Sequence, residues 1–235
     1  RWLSDWSSDV CSSDLMVSGE TEEIKRIREN VILMQVPVIN PDGHQMTAEW
    51  YRKNLGTPHE LAPLPELYQK YSGHDNNRDY FMMNLPETRA VSRMLFREWY
   101  PQIVYNQHQV APFPARIFIP PYAEPLNPNI APAVMEGINL IGSVMKERFL
   151  REKKPGVISY VNFDGWWNGG LRSAPAFHNM HGILTETAGY VYATPYEVKP
   201  SEIPARFQTG IPAREPSIFY PMPWMGGRWA LNDAV

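Results

Sequence analysis

Two apolar rhythms alternate along the chain, one recurring every three to four residues and one of short continuous runs. In Glu20–Asn30 (ETEEIKRIREN), Ile24, Ile27 and the following Val31 keep helical spacing, with acids ahead of bases as the helix dipole favours. The spacing predicts a helix there. Val31 to Ile39 is an apolar, β-rich run interrupted by Gln35 and Pro37, which predicts a strand, and Asn40-Pro41-Asp42-Gly43 then predicts a turn. Pro86 to Tyr100 opens with proline and acid and repeats apolar residues at Val91, Met94, Leu95 and Trp99, a second helix. Gln102 to Tyr105 reads as a short buried strand leading into Asn106-Gln107-His108. Ala131 to Leu150 is another amphipathic helix, Val157 to Val161 a strand, and Gly182 to Thr185 a strand that ends at Glu186. Helices interleaved with apolar strands predict an α/β domain with a largely buried sheet. Tyr192 to Trp229 is crowded with Pro and Gly and reads as an irregular closing segment; no internal repeat is visible.

Residues 1–15 (RWLSDWSSDVCSSDL) follow neither rhythm. A Ser-Asp pair recurs at Ser4-Asp5, Ser8-Asp9 and Ser13-Asp14, and the basic end and apolar run of a signal peptide are missing. Asp5 to Leu15 resembles the translation of a sequencing-library adapter, so this segment is expected to be a non-native scar joined to the reading frame near Met16. A Ser-rich flexible tail is the plainer alternative.

Composition narrows the class. Of 235 residues, 43% are hydrophobic and 20% charged, both near globular averages, and 23 are proline, which points to a loop-rich fold. A net charge of -3 with no basic run of five argues against a nucleic-acid partner. No apolar stretch approaches the ~20 residues of a membrane helix, so no membrane partner is expected. Without residues 1–15 the balance becomes 21 basic against 22 acidic residues, and Cys11, the single cysteine, is lost with them.

Residues with catalytic potential gather at predicted strand ends, where open α/β sheets form ligand crevices. Their order is Asn40-Pro41-Asp42-Gly43, then Arg52-Lys53-Asn54, then Gly73-His74-Asp75-Asn76-Asn77-Arg78, then His108, then Glu186. This order resembles the zinc carboxypeptidase family, the carboxypeptidase A-like (M14) metallopeptidases, from about Ser18 to Gly189. NPDG with its following RKN and GHDNNRDYF are the more specific matches; YNQHQ and ILTETAG add weight by position. The wider set, with REWYPQIVYNQHQ, WWNGGLR and HNMHGILTETAG, most resembles a bacterial branch whose members are usually exported.

The resemblance implies a carboxypeptidase-like α/β fold, a mixed sheet with helices on both faces that is incomplete at its N-terminus. It implies a partial catalytic domain over 16–191 and a truncated closing segment over 192–235. It also implies one Zn2+ ion with His108 among its ligands, and Glu186 as the general base that takes a proton from the metal-activated water and passes it to the leaving amine. Arg52 would polarise the scissile carbonyl, and Asn77 and Arg78 would clamp the carboxylate of a peptide with a free C-terminus. Localisation, on resemblance alone, would be secreted or periplasmic; oligomeric state is left open.

Two departures stand against the family pattern. No His-x-x-Glu, the family's first pair of zinc ligands, occurs in the sequence, so N-terminal truncation and an inactive fragment are expected. The family's pocket tyrosine has no clear counterpart either; Trp166-Trp167-Asn168-Gly169-Gly170 occupies its approximate place, making Trp167 a candidate for substrate contact. Bland readings stand beside these. NPDG is a good turn by itself, Arg52 and Lys53 suit a solvated surface, Asn76-Asn77-Arg78 suits a polar loop cap, and His108 suits a hydrogen-bonded core histidine. Trp166 and Trp167 suit a core or rim as well as they suit a recognition platform. His178 and His181 have ligand-like spacing without a third ligand nearby, and His44, His59 and His74 read as loop histidines. The rival function is a catalytically silent carboxypeptidase-like domain that binds peptide ends or cell-wall material; a third keeps the zinc but cuts another amide.

Overall fold

The computed structural model describes residues 14–69, 72–108, 115–154 and 156–187. The residues proposed as scar lie almost entirely outside this set, and the closing segment 192–235 lies outside it.

Helix α1 spans Glu22–Asn30, and the Thr21 hydroxyl accepts the Ile24 N–H to cap it. The predicted strand from Val31 to Ile39 does not form. Val31, Ile32, Leu33 and Val36 are exposed, and none of these residues joins a ladder of the described sheets. β-rich composition supplies a propensity, but a strand also needs a neighbouring edge to pair its backbone. The predicted turn is also replaced: Asn40 caps helix α2, Pro41–Asn54, by accepting the Gly43 N–H, with Pro41 in the first turn. Asn, Pro and Asp serve a helix start as well as a turn, because both need a side-chain acceptor and a fixed φ. His44 is therefore a helix residue, not a loop one.

Helix α3, Pro86–Arg93, continues as a π-helical stretch over Met94–Trp99 and stops at Tyr100, whose φ of 48° is left-handed. Strand β1 follows at Ile103–His108. Strand β2 is Ile117–Phe118, β3 Ala123–Leu126, and helix α4 Pro132–Arg151. Then come β4, Val157–Ile158, β5, Asp164–Gly165, and β6, His181–Thr187. The main sheet runs β1-β6-β2-β4; β1 is parallel to β6, β6 antiparallel to β2, and β2 parallel to β4. This is the expected mixed α/β sheet. Strands β3 and β5 form a separate parallel pair.

The core lies against the central strand. Leu184 of β6 and Phe118 of β2 pack with Val134, Met135 and Ile138 of α4, while Val104 of β1 packs with Leu95, Leu171 and Met180. Tyr122 ties this core together: its hydroxyl donates to the Gly182 carbonyl and accepts the Leu184 N–H at 2.9 and 2.8 Å. A dry, close-packed base under β1 and β6 fixes where their C-terminal ends point.

Candidate active site

Strand β6 is the hinge of the site because it pairs on both sides. His108 stands opposite Glu186 in the parallel ladder, and Phe118, fully buried, stands opposite Glu186 on the other side. Side chains of alternate strand residues share a face, so Val104 and His108 project the same way, as do Leu184 and Glu186. The apolar pair sits in the core and the polar pair at its rim. The Glu186 carboxylate is 3.0 Å from His108 Nδ1; the histidine side chain keeps 35% exposure and the glutamate 6%. A nearly buried carboxylate needs a partner to offset its lost hydration, and His108 supplies one. Thr187 also donates its hydroxyl to the His108 carbonyl at 3.2 Å, and Tyr105 and Thr185 exchange a side-chain bond of 2.8 Å one step earlier. The two strand ends are thus pinned on both sides of the pair.

A second cluster comes from the Gly73–Arg78 loop. Gly73, at φ +70°, turns the chain, and Asn76–Arg78 form a short 3-10 turn in which Asp75 accepts the Asn77 N–H at 2.8 Å. Asn77 Oδ1 accepts the Leu171 N–H at 2.9 Å, and the Tyr80 N–H donates to the Gly169 carbonyl at 3.1 Å. These bonds bring the loop against the WWNGGL segment. Arg78 is exposed beside them, with its guanidinium donating to the Asn77 carbonyl at 2.8 Å. Trp167 is 40% exposed and meets Phe81 edge-on at 5.7 Å between centroids, so both rings keep open surface.

Arg52 sits on the exposed side of the last turn of α2. Its charge reaches back along the helix to His44, whose pKa is lowered first by burial and then by Arg52. The decoy pair of histidines separates. His178 ends a 3-10 turn and stacks on Phe96 at 3.9 Å, whereas His181 opens β6 and faces the Gln102 carbonyl at 3.2 Å.

A buried carboxylate in this region is absent from the sequence candidates. Asp79, with no exposed surface, has Oδ1 2.9 Å from His74 Nε2 while Oδ2 accepts the Leu85 N–H at 2.9 Å. Burial pushes its pKa up, but the Leu85 N–H, His74 and the Asn84 backbone outweigh that and hold it below the usual carboxylate range. The signal lay in GHDNNRDYF, where a charged residue is followed at once by Tyr-Phe.

The fold sets the His108–Glu186 pair at adjoining strand ends of a mixed α/β sheet. The family model for zinc carboxypeptidases matches residues 10–111, a span that holds Arg52, Asn77, Arg78 and His108 and bears out the resemblance read from the motifs. Trp167 and Glu186 lie beyond it. None of the curated proteins matches the chain, and no solved structure matches it.

The donor set can be tested against the family's metal. A catalytic zinc takes three protein ligands at about 2.0–2.2 Å for nitrogen and oxygen. Among the described residues no group of three His, Cys, Asp or Glu side chains converges on one point. His108 and Glu186 stand at hydrogen-bond distance from each other, so these residues do not complete a zinc site between themselves. No described helix is long and apolar enough to cross a membrane.

Proposed function

We propose that this chain carries the general-base and carboxylate-clamp portion of a zinc metallocarboxypeptidase, an enzyme that removes C-terminal residues from peptides. The observation that carries the reading is the His108–Glu186 pair, formed by residues 78 positions apart in sequence. Glu186 would accept a proton from water and return it to the leaving amine; its nearly buried carboxylate, paired with His108, supports that reading. Arg78 would take the substrate carboxylate in a two-point contact, with Asn77 beside it, and Trp167 would offer apolar surface to a neighbouring side chain. Arg52 would stabilise negative charge on the carbonyl oxygen. Zinc belongs to this reading as the family's cofactor. His108 is its ligand in this chain, and two more of the His-x-x-Glu kind would have to join it, so the polypeptide alone is inactive. Export to the periplasm or medium rests on the family resemblance.

A second reading is a silent domain that binds peptide ends or cell-wall material, supported by the exposed Arg78 beside Asn77. One experiment separates the two. The chain is joined to a segment bearing the His-x-x-Glu ligands, loaded with zinc, and given one peptide with a free C-terminus and the same peptide amidated. Stepwise loss of single residues from the free peptide alone, followed by mass spectrometry, supports the peptidase. Equal cleavage of both forms contradicts the clamp, and binding without cleavage supports the silent domain.

A further inference from the structure

The Asn76–Arg78 turn is held at both ends, and the hold is centred on one buried charge. Asp79 follows Arg78 directly and is fully buried, an expensive place for a carboxylate unless donors surround it. Leu85, at the start of α3, gives it a backbone N–H, and His74, four residues before Arg78, closes the other side. The His74 and Asp79 side chains therefore clasp the loop across residues 75–78. Within the clasp, Asp75 accepts the Asn77 N–H and its other oxygen accepts the Tyr68 hydroxyl at 3.1 Å, while Asn77 Oδ1 is committed to Leu171. Backbone bonds from Arg78 to Asp75 and from Asp79 to Asn76 close the turn at 2.9 and 3.1 Å. Arg78 is the residue in this arrangement whose side chain points outward to solvent. A long, flexible guanidinium binds a carboxylate well only if its backbone is fixed, since otherwise ordering the loop subtracts from the binding free energy.

We infer that His74 and Asp79 are a positioning pair for the carboxylate clamp: their bond fixes the loop from which Arg78 receives the ligand. This rests on the carboxylate-binding reading of Arg78 given above and adds the two residues that set its affinity. Neither touches the ligand. His74 is part-exposed, so it is the less disruptive residue to change.

The test uses the chain as it stands, with N-acetyl-L-phenylalanine as the carboxylate probe, titrated by 15N NMR while the Arg78 Nε–H resonance is followed. Wild type should bind, and Arg78→Ala should abolish binding. His74→Ala should weaken binding about tenfold, the scale of one charge-assisted hydrogen bond. His74→Gln, whose amide N–H can still donate to Asp79, should restore most of it. Thermal melts accompany each variant; if His74→Ala fails to fold, His74→Asn, too short to reach Asp79, takes its place against the Gln rescue. Wild-type affinity in His74→Ala or His74→Asn, with binding still dependent on Arg78, overturns the positioning role and leaves the clamp intact. Weakening that His74→Gln does not rescue also overturns it. No binding by wild type, or undiminished binding by Arg78→Ala, overturns the clamp reading and this inference with it.

Discussion

Glu186 lies directly across the β1–β6 ladder from His108, its carboxylate 3.0 Å from the imidazole Nδ1, although the family match ends before Glu186 is reached. The register places the two residues together without any help from that match. A slip of one residue would turn Glu186 to the opposite face of the sheet, so the pair depends on the ladder beneath it.

That ladder rests on Tyr122, which bonds to Gly182 and Leu184 through one buried hydroxyl. Burial pushes the phenol pKa well above its usual value, so the group stays neutral over the working pH range. Tyr122→Phe should leave the Leu184 N–H without its acceptor and cost about 1–3 kcal/mol of stability. Urea unfolding measures it, and a loss under a few tenths of a kcal/mol would contradict the role.

Asp79 gives the fold an acid-sensitive element. Its pKa is depressed in the folded chain, with burial opposing the shift and the Leu85, His74 and Asn84 donors overcoming it. A depressed carboxylate contributes stability that is present above its unfolded pKa of about 3.9 and is lost as pH falls through the lower, folded value. Asp79→Asn should therefore lower stability at neutral pH and flatten the stability profile below about pH 4. Denaturation series at stepped pH check this; parallel profiles for the two proteins would contradict it.

Gly169 seats Trp167. A Cβ at that position would fall inside the indole ring, so Gly169→Ala should push the ring off its seat and away from Phe81. Near-ultraviolet circular dichroism should change in the tryptophan bands, with a stability loss of about 1–3 kcal/mol from the overpacked contact. Identical spectra would mean that the ring is not held there.

Much of the fold could be read from the chain because its signals are local. The helices at Glu22–Asn30, Pro86–Arg93 and Pro132–Arg151 carry both periodicity and start residues, and strands β1 and β6 are short apolar runs ending in polar residues. Val31–Ile39 misled because strand formation depends on a partner that composition does not reveal. Asn40-Pro41-Asp42 misled because one set of residues starts turns and helices alike. The positions of His108 and Glu186 at strand ends, and of Asn77 and Arg78 in a polar loop, could be read from the chain. The His74–Asp79 clasp and the Asn77–Leu171 bond could not, since each depends on tertiary contacts that bring loop ends together.

The central claim is that Glu186 moves the proton in peptide cleavage. The most direct measurement is single-turnover cleavage of a free-C-terminus peptide by the zinc-loaded protein carrying the His-x-x-Glu ligands, with Glu186 and with Glu186→Gln. The account predicts a loss of about 100- to 10,000-fold in the cleavage step with peptide affinity unchanged. Cleavage by Glu186→Gln at the unmodified rate would contradict it.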